Sequence, residues 1–321
     1  MSAEKGQGQD GGRAPGSKPD YSVGTRLAYF PGCTLKTMAR NFENSALSAA
    51  SALGLELAEL PRWNCCGTVT SLTSDDLIHH VAPIRDLVRV EEMNDRGELD
   101  KDYRVVTLCS MCFHVLKRSN LRVVQNPEEL KKINDFMYLE PDYGGRVRVL
   151  HFLEVLRDIG FPAIAHKVRK PLAGLKVSPY CGCLLLRPKE AGIDDPEAPT
   201  VLESLCRALG AEVVDNPYKM RCCGSYQTVR DKSAAAELSH DILRRARAEG
   251  AEAVVTSCPL CMFNLADRQR EIVERHAEFA PLPVLYFTQL MALALGADEK
   301  ACGFEENAVD PRPLLKTKQL L

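Results

Sequence analysis

The sequence predicts a two-domain α/β protein in which each domain is built on a parallel sheet and the second domain repeats the first. Three observations predict it. Short apolar runs alternate with helical patterns along the chain, the signature of βαβ units. Five cysteines, Cys33, Cys65, Cys66, Cys109 and Cys112, recur as Cys183, Cys222, Cys223, Cys258 and Cys261. The offsets are nearly constant: 150 positions from Cys33 to Cys183, 157 from Cys66 to Cys223 and 149 from Cys109 to Cys258.

In the first copy, the apolar run 27–30 reads as a strand that ends at Pro31-Gly32-Cys33. Residues 41–53 carry apolar side chains at helical spacing, and Gly54 stops the helix. Residues 55–60 read as a strand leading to Trp63-Asn64-Cys65-Cys66-Gly67, and 75–93 as one long helix. The run 105–108 is a buried strand that delivers Cys109. Helices follow at 112–121 and 127–138, a strand at 147–150 and a helix at 152–159. The second copy keeps this order, with strands at 175–178, 211–214, 253–256 and 284–287. Its helices are placed at 200–209, 233–249, 261–276 and 288–295.

Cys33, Cys109, Cys183 and Cys258 all follow predicted strands. Ligands of open α/β sheets bind at the carboxyl ends of the strands, so each set of five converges at one sheet edge. The expected organisation is two pseudo-symmetric Rossmann-like domains, 26–170 and 171–300. A disordered N-terminal tail, 1–25, and a C-terminal tail, 301–321, flank them.

Composition narrows the function. The 321 residues are 45% hydrophobic and 26% charged, with a net charge of −2, which points away from nucleic acid and anionic membrane surfaces. No apolar run reaches the roughly 18 residues of a membrane span, so no direct membrane insertion is expected. The N-terminus shows no secretory signal. Thirteen cysteines in such a chain imply reduced thiols, metal or redox chemistry and a cytoplasmic location.

The spacing refines this. In Cys109-Ser-Met-Cys112 and Cys258-Pro-Leu-Cys261 the second cysteine enters the first turn of a helix. There the helix N-terminus favours thiolate. A dithiol redox pair uses the same arrangement, so each Cys-x-x-Cys alone is ambiguous. The adjacent pairs argue otherwise. Neighbouring Cα atoms lie about 3.8 Å apart, below the roughly 4.4–6.8 Å of ordinary disulfides. Adjacent thiolates suit an assembly larger than one ion, and the glycine behind each pair permits a close turn. Five thiolates exceed by one what a zinc ion or a four-iron cubane takes. Either one is a spare, or the cluster is unusual. A four-cysteine zinc site remains open, in one half or in both.

These residues resemble the catalytic B subunit of heterodisulfide reductase, whose family is named for its cysteine-cysteine-glycine (CCG) domains. The resemblance runs from Leu27 to Gly296. It rests on Tyr29-Phe30-Pro31-Gly32-Cys33, the two Cys-Cys-Gly segments, Gly182-Cys183-Leu184-Leu185-Leu186-Arg187-Pro188, Cys258-Pro259-Leu260-Cys261 and Leu285-Tyr286-Phe287-Thr288-Gln289. It implies a noncubane [4Fe-4S] cluster in each half, held by the ten cysteines. It implies that a disulfide is cleaved or formed between the clusters, with Cys33, Cys65, Cys66, Cys183, Cys222 and Cys223 nearest the chemistry. The departure from the pattern is length: 42 residues separate Cys66 from Cys109, against 34 between Cys223 and Cys258.

The chain has no ferredoxin-type run of closely spaced cysteines and no G-x-G-x-x-G after a strand. Electrons must then come from a partner. The resemblance implies a ferredoxin-like C subunit, with a flavin-bearing A subunit behind it. Two other readings stand beside the enzyme: an electron-transfer component of a flavin dehydrogenase complex without disulfide chemistry, and a zinc-binding scaffold. Lys36, Arg187 and Lys189 follow first cysteines and are either anion contacts or solvated charges. His151 is either a proton donor or a core residue. His114 reads as packing, Cys206 as core, and Cys181 as an alternative ligand beside Cys183. Cys302 has no assigned role.

Overall fold

The computed structural model describes residues 21–68, 76–100 and 102–321. The expected N-terminal tail therefore lies mostly outside the described residues, and so does the start of the long helix predicted at 75. In the first half, strand β1 (Thr25–Phe30) leads to helix α1 (Arg40–Leu53) and strand β2 (Leu55–Glu59). Helix α2 (Val81–Asp95) follows a single 3-10 turn, Leu77–His80, and so begins later than the periodicity suggests. Strand β3 (Arg104–Thr107), helices α3 (Ser110–Gln125) and α4 (Pro127–Phe136), strand β4 (Arg148–His151) and helices α5 (Phe152–Ile159) and α6 (Phe161–Lys167) complete it.

The second half repeats the plan. It runs through β5 (Lys176–Pro179), α7 (Val201–Ala208), β6 (Glu212–Val213), α8 (Gln227–Arg230), α9 (Lys232–Ala248) and β7 (Ala253–Thr256). Then come α10 (Pro259–Met262), a π-helical turn at Phe263–Asp267, α11 (Gln269–Arg275), β8 (Val284–Tyr286) and α12 (Phe287–Ala294). The helix expected over 261–276 is thus broken by the π turn. The C-terminal tail is folded rather than loose: α13 (Glu299–Cys302) and α14 (Arg312–Thr317) bury Cys302, Phe304 and Leu315 completely.

Both sheets are fully parallel, ordered β2-β1-β3-β4 and β6-β5-β7-β8. Strand order reverses direction between β1 and β3, and again between β5 and β7, which opens a crevice beyond the carboxyl ends of those strands. The central strands are buried on both faces and carry mostly apolar side chains, with Arg104, Thr107, Ser178 and Thr256 as buried polar members. Val105, Val106, Val254 and Val255 are all inaccessible to solvent.

The halves interlock about a pseudo-two-fold. Helix α1 packs on α12 of the other half, and α7 packs on α5 in the matching place. Phe42 lies flat on Tyr286, with ring centroids 4.1 Å apart, and meets Phe287 edge-on. Such ring pairs add about 0.5–1.5 kcal/mol each beyond the area they bury. Ser45 Oγ shares a buried 2.7 Å hydrogen bond with Thr288 Oγ1. Between the halves Ser110 Oγ and Ser257 Oγ also lie 2.9 Å apart.

His151 caps α5: its Nδ1 accepts from the Leu153 N–H at 3.2 Å, and its Nε2 meets the Leu108 carbonyl at 2.8 Å. The ring is wholly buried, which makes it a core residue rather than a proton donor open to a substrate. Burial pulls its pKa down to about 4, so the folded protein keeps it neutral where the unfolded chain charges it. The unfolded state therefore binds more protons below about pH 6.5, and stability is lost as pH falls from there toward 4. His151→Asn keeps a capping acceptor and removes the titration. In denaturant unfolding series from pH 7 to pH 4.5, the acid-side slope of the variant should be shallower by up to about 1.4 kcal/mol per pH unit.

Candidate metal centre

Each first cysteine is placed by a strand end and a glycine. Gly32 sits at φ +72°, and a Cβ there would stand 2.9 Å from Cys112 Sγ. Gly182 sits at φ +66°, with Cys261 Sγ 3.5 Å from the same virtual position. Glycine thus lets the loops of Cys33 and Cys183 approach the sulfurs of the Cys-x-x-Cys segments. Cys109 and Cys258 occupy the N-cap positions of α3 and α10, with extended backbone, and Cys112 and Cys261 follow in the first turn. The amides of Leu260 and Cys261 point at the Cys258 sulfur, which is how a helix start holds an anion.

The Cys-Cys-Gly segments are tied down from behind. The Asn64 N–H donates to Asp86 Oδ1 at 2.8 Å, which pins the first segment to α2. In the second, Ser239 on α9 donates to the Cys223 carbonyl at 3.3 Å. The Cys181 and Gly182 N–H groups both bond the Lys219 carbonyl at 3.0 Å, so the two cysteine loops of that half are laced together.

The sulfurs meet in pairs. Cys33 and Cys65 Sγ are 3.6 Å apart, as are Cys66 and Cys112, and Cys223 and Cys261. Further thiol contacts join Cys65 to Cys66, Cys183 to Cys222 and Cys222 to Cys223. Cys258 is bonded by both Cys261 and Cys109, the latter from the other half. All ten predicted cysteines therefore lie on one continuous string, from Cys33 to Cys183, crossing between halves at Cys109 and Cys258.

Electrostatics follow the string. Hydrogen bonds from Cys112 and Cys65 pull the Cys66 thiol down to about 3. Those from Cys183 and Cys223 pull Cys222 down to about 2. Cys109 and Cys261 hold Cys258 well below the usual thiol value. The donors Cys65 and Cys183 move up in exchange, mainly through those same bonds to Cys66 and Cys222. In each half the hydrogen bonds along the string favour the thiolate of at least one cysteine, the form that binds metal.

All thirteen cysteines are free thiols. Cys206 is buried among the core side chains of α7. Cys181 is buried too, and burial pushes its thiol up to about 12, away from the thiolate form that the string favours. His114 is buried, with its pKa pulled down to about 4 by that burial.

A cavity of about 470 Å³ opens onto the string. Its floor is Cys33, Cys66, Cys109 and Cys112 of the first set, and among the described residues no cysteine of the second set lines it. The opposite wall comes from the second half: Tyr226, Leu260, Met262, Phe263, Asp267 and Tyr286. Glu306 and Asn307 of the C-terminal segment close one side. The cavity is therefore asymmetric with respect to the two cysteine sets.

Three residues at the site gave no signal in the sequence. Asn264, in the π turn, donates to Cys223 Sγ at 3.5 Å and to the Ser225 carbonyl at 3.1 Å. Its counterpart three residues beyond Cys112 is Val115, so the repeat does not point to it. Asp267 and Glu306 reach the cavity through the π turn and the folded tail, neither of which is visible in residue spacing.

Comparison with known proteins agrees with this geometry. The model of the CCG cysteine-rich domain matches twice, at residues 27–117 and 177–266. The chain belongs to the family of duplicated CCG-domain proteins that includes the B subunit of heterodisulfide reductase. It is 34% identical to the 8-methylmenaquinol:fumarate reductase membrane anchor subunit of Wolinella succinogenes, over 90% of this chain and 98% of that one. It is 29% identical to the B subunit of the ferredoxin/F(420)H(2)-dependent CoB-CoM heterodisulfide reductase of Methanosarcina acetivorans, over 88% and 94%. With a protein of Archaeoglobus profundus named as like the B subunit of heterodisulfide reductase it shares 30% identity over 89% and 95%. A hypothetical protein from Helicobacter pylori shares the fold at TM-score 0.68 and 10% identity, covering 90% of this chain and 54% of that one. Among the described residues no helix is long and apolar enough to cross a membrane.

Proposed function

We propose that this CCG protein is the catalytic iron–sulfur subunit of a heterodisulfide reductase-like complex. The observation that carries the reading is the string of ten sulfurs running through both halves with a cavity upon it. The donor set fits a cluster better than a single ion. Sulfurs around tetrahedral zinc at 2.3 Å lie roughly 3.8 Å apart all round. Among the described residues no three cysteine sulfurs come within 4.8 Å of one another; the only such trio of potential ligands is Glu237 and His240 on α9 with His276 at the end of α11. The extended string, with five sulfurs in each half and no tetrahedral set among them, supports the cluster reading over a single zinc ion.

We assign Cys33, Cys65, Cys66, Cys109 and Cys112 to one [4Fe-4S] cluster and Cys183, Cys222, Cys223, Cys258 and Cys261 to the other. Bound there, such clusters supply one-electron steps. The overall reaction takes one disulfide, two electrons and two protons to two thiols. The electrons come from a ferredoxin-like partner, itself supplied by a flavin-bearing member of the complex. The functional halves are taken as 26–170 and 171–300. Free thiols throughout suit a reducing, cytoplasmic compartment.

Iron, acid-labile sulfide and zinc on anaerobically purified protein test the assignment. About eight irons per chain are expected for two four-iron clusters. Zinc in place of iron would return the scaffold reading.

A second reading is favoured by one relative. The Wolinella protein is named for quinol-linked fumarate reduction, so this chain as an electron conduit without disulfide chemistry stands beside the reductase. Turnover of a disulfide by reduced, cluster-loaded protein separates the two: its absence, with eight irons present, would leave the conduit.

Asn264 makes the clusters unequal. A hydrogen bond to a ligating sulfur stabilises the more negative, reduced state. Asn264→Ala should shift the second cluster's midpoint potential downward in an EPR-monitored titration and leave the first cluster's unchanged.

A further inference from the structure

The cavity carries charge of one sign. Its wall holds two carboxylates, Asp267 at the end of the π turn and Glu306 from the C-terminal segment. Glu306 is fixed in place by the Asn41 N–H, which donates to its Oε2 at 3.2 Å. No lysine, arginine or histidine among the described residues lines the cavity.

The cations beside the cavity residues and the first cysteines are committed elsewhere: Arg40, between Ala39 and Asn41, donates from Nε to the Lys36 carbonyl at 3.3 Å. Lys36, three residues past Cys33, is held by Glu43 at 2.7 Å and Glu59 at 2.6 Å. Arg187, four past Cys183, is held by Glu197 at 3.0 Å. Arg268 lies next to Asp267, but its guanidinium sits over the Phe263 ring at 4.6 Å and bonds Glu271 and Thr228. The rest of the wall is uncharged: Met38, Leu260, Met262 and Phe263 are apolar, and Thr34 and Asn307 are neutral polar groups.

We propose that this cavity selects uncharged or cationic disulfides with short apolar arms and rejects anionic ones. The inference rests on the reading of the chain as a disulfide-cleaving enzyme and names its substrate class. A like charge brought into a partly enclosed, carboxylate-bearing site is repelled more strongly than in open water. The cleavage itself is balanced as above: one S–S bond breaks, two electrons arrive from the reductant, and two protons complete the thiols.

The test uses cluster-loaded protein and three disulfides of similar length: cystamine, a dication; bis(2-hydroxyethyl) disulfide, uncharged; and dithiodiglycolate, a dianion. Equilibrium dialysis against oxidised protein gives affinities, and reduced viologen as electron donor gives kcat/KM. At low salt the dianion should bind roughly tenfold or more weakly than the uncharged compound. That gap should narrow at high ionic strength, about 1 M, where screening acts within about 3 Å, and in Asp267→Asn and Glu306→Gln, each checked for unchanged iron content. Dianion affinity equal to or above that of the uncharged disulfide would overturn the selectivity, even if turnover shows the reductase reading to be right. Affinities in the expected order without cleavage of any of the three would uphold the selectivity and remove the reductase reading.

Discussion

Serine at Cys66 or at Cys222 should abolish turnover if the proposed two-cluster reading holds, and each variant should lose one cluster while keeping the other. Cys66 is the thiolate centre of the first five sulfurs, bonded by Cys112 and Cys65; Cys222 is that of the second, bonded by Cys183 and Cys223. A serine hydroxyl is a far poorer metal ligand, because it stays protonated at neutral pH where the thiol is already ionised. Iron should fall from about eight to about four per chain in each single variant. A drop in kcat of at least a thousandfold is expected with either one, since a two-electron cleavage shared between halves has no half-rate route. Full turnover in either variant would mean that a single cluster suffices. Iron analysis alongside rates keeps a dead protein apart from a half-loaded one.

Alanine at Gly224 is the second large effect, and it acts through backbone alone. The residue sits at φ +98°, and a Cβ there would meet the Cα of Ala235 at 3.0 Å and its Cβ at 3.1 Å. The left-handed conformation costs an L-residue about 1–2 kcal/mol, and overpacking adds roughly 1–3 kcal/mol. Helix α9 has no flexible side-chain tip at that point to yield, so either the helix or the Cys222–Cys223 segment must move. Expected are a lower thermal midpoint, by roughly 5–10 °C, and loss of the second cluster with the first retained. Gly97, at φ +75° with open space around it, is the control. Gly97→Ala pays the conformational term only and should keep both clusters.

Much of this was legible because the chemistry repeats. Cysteines at strand ends, with glycine beside them, mark the sheet edge directly, and the duplicated offsets place both sheets. What stayed hidden depends on geometry that no periodicity encodes. An apolar stripe over 261–276 reads the same whether hydrogen bonds run to the fourth or the fifth residue, so the π turn and the placing of Asn264 and Asp267 could not be read. The contact of Cys109 with Cys258 joins residues 149 apart in the chain and follows from packing of the two halves. The end segment, polar in composition with scattered apolar residues, looked like a tail. It folds because Gln289 Nε2 bonds the Cys302 carbonyl at 3.0 Å and Asn307 Oδ1 at 2.8 Å. Gly303 at φ +62° then lies close against Asn41.

That last contact sets a schedule. The N-terminus of α1 is braced by Glu306, 265 residues further along the chain, and the same glutamate lines the cavity beside Cys33, Cys66, Cys109 and Cys112. At ribosomal speeds of about 5–20 residues per second, the brace reaches α1 some tens of seconds after Cys33 has been made. During that interval the wall that Glu306 and Asn307 form beside the first sulfurs is missing. The C-terminal segment is thus the last part of the cavity wall to be made, and its docking completes the surroundings of the first cysteine set.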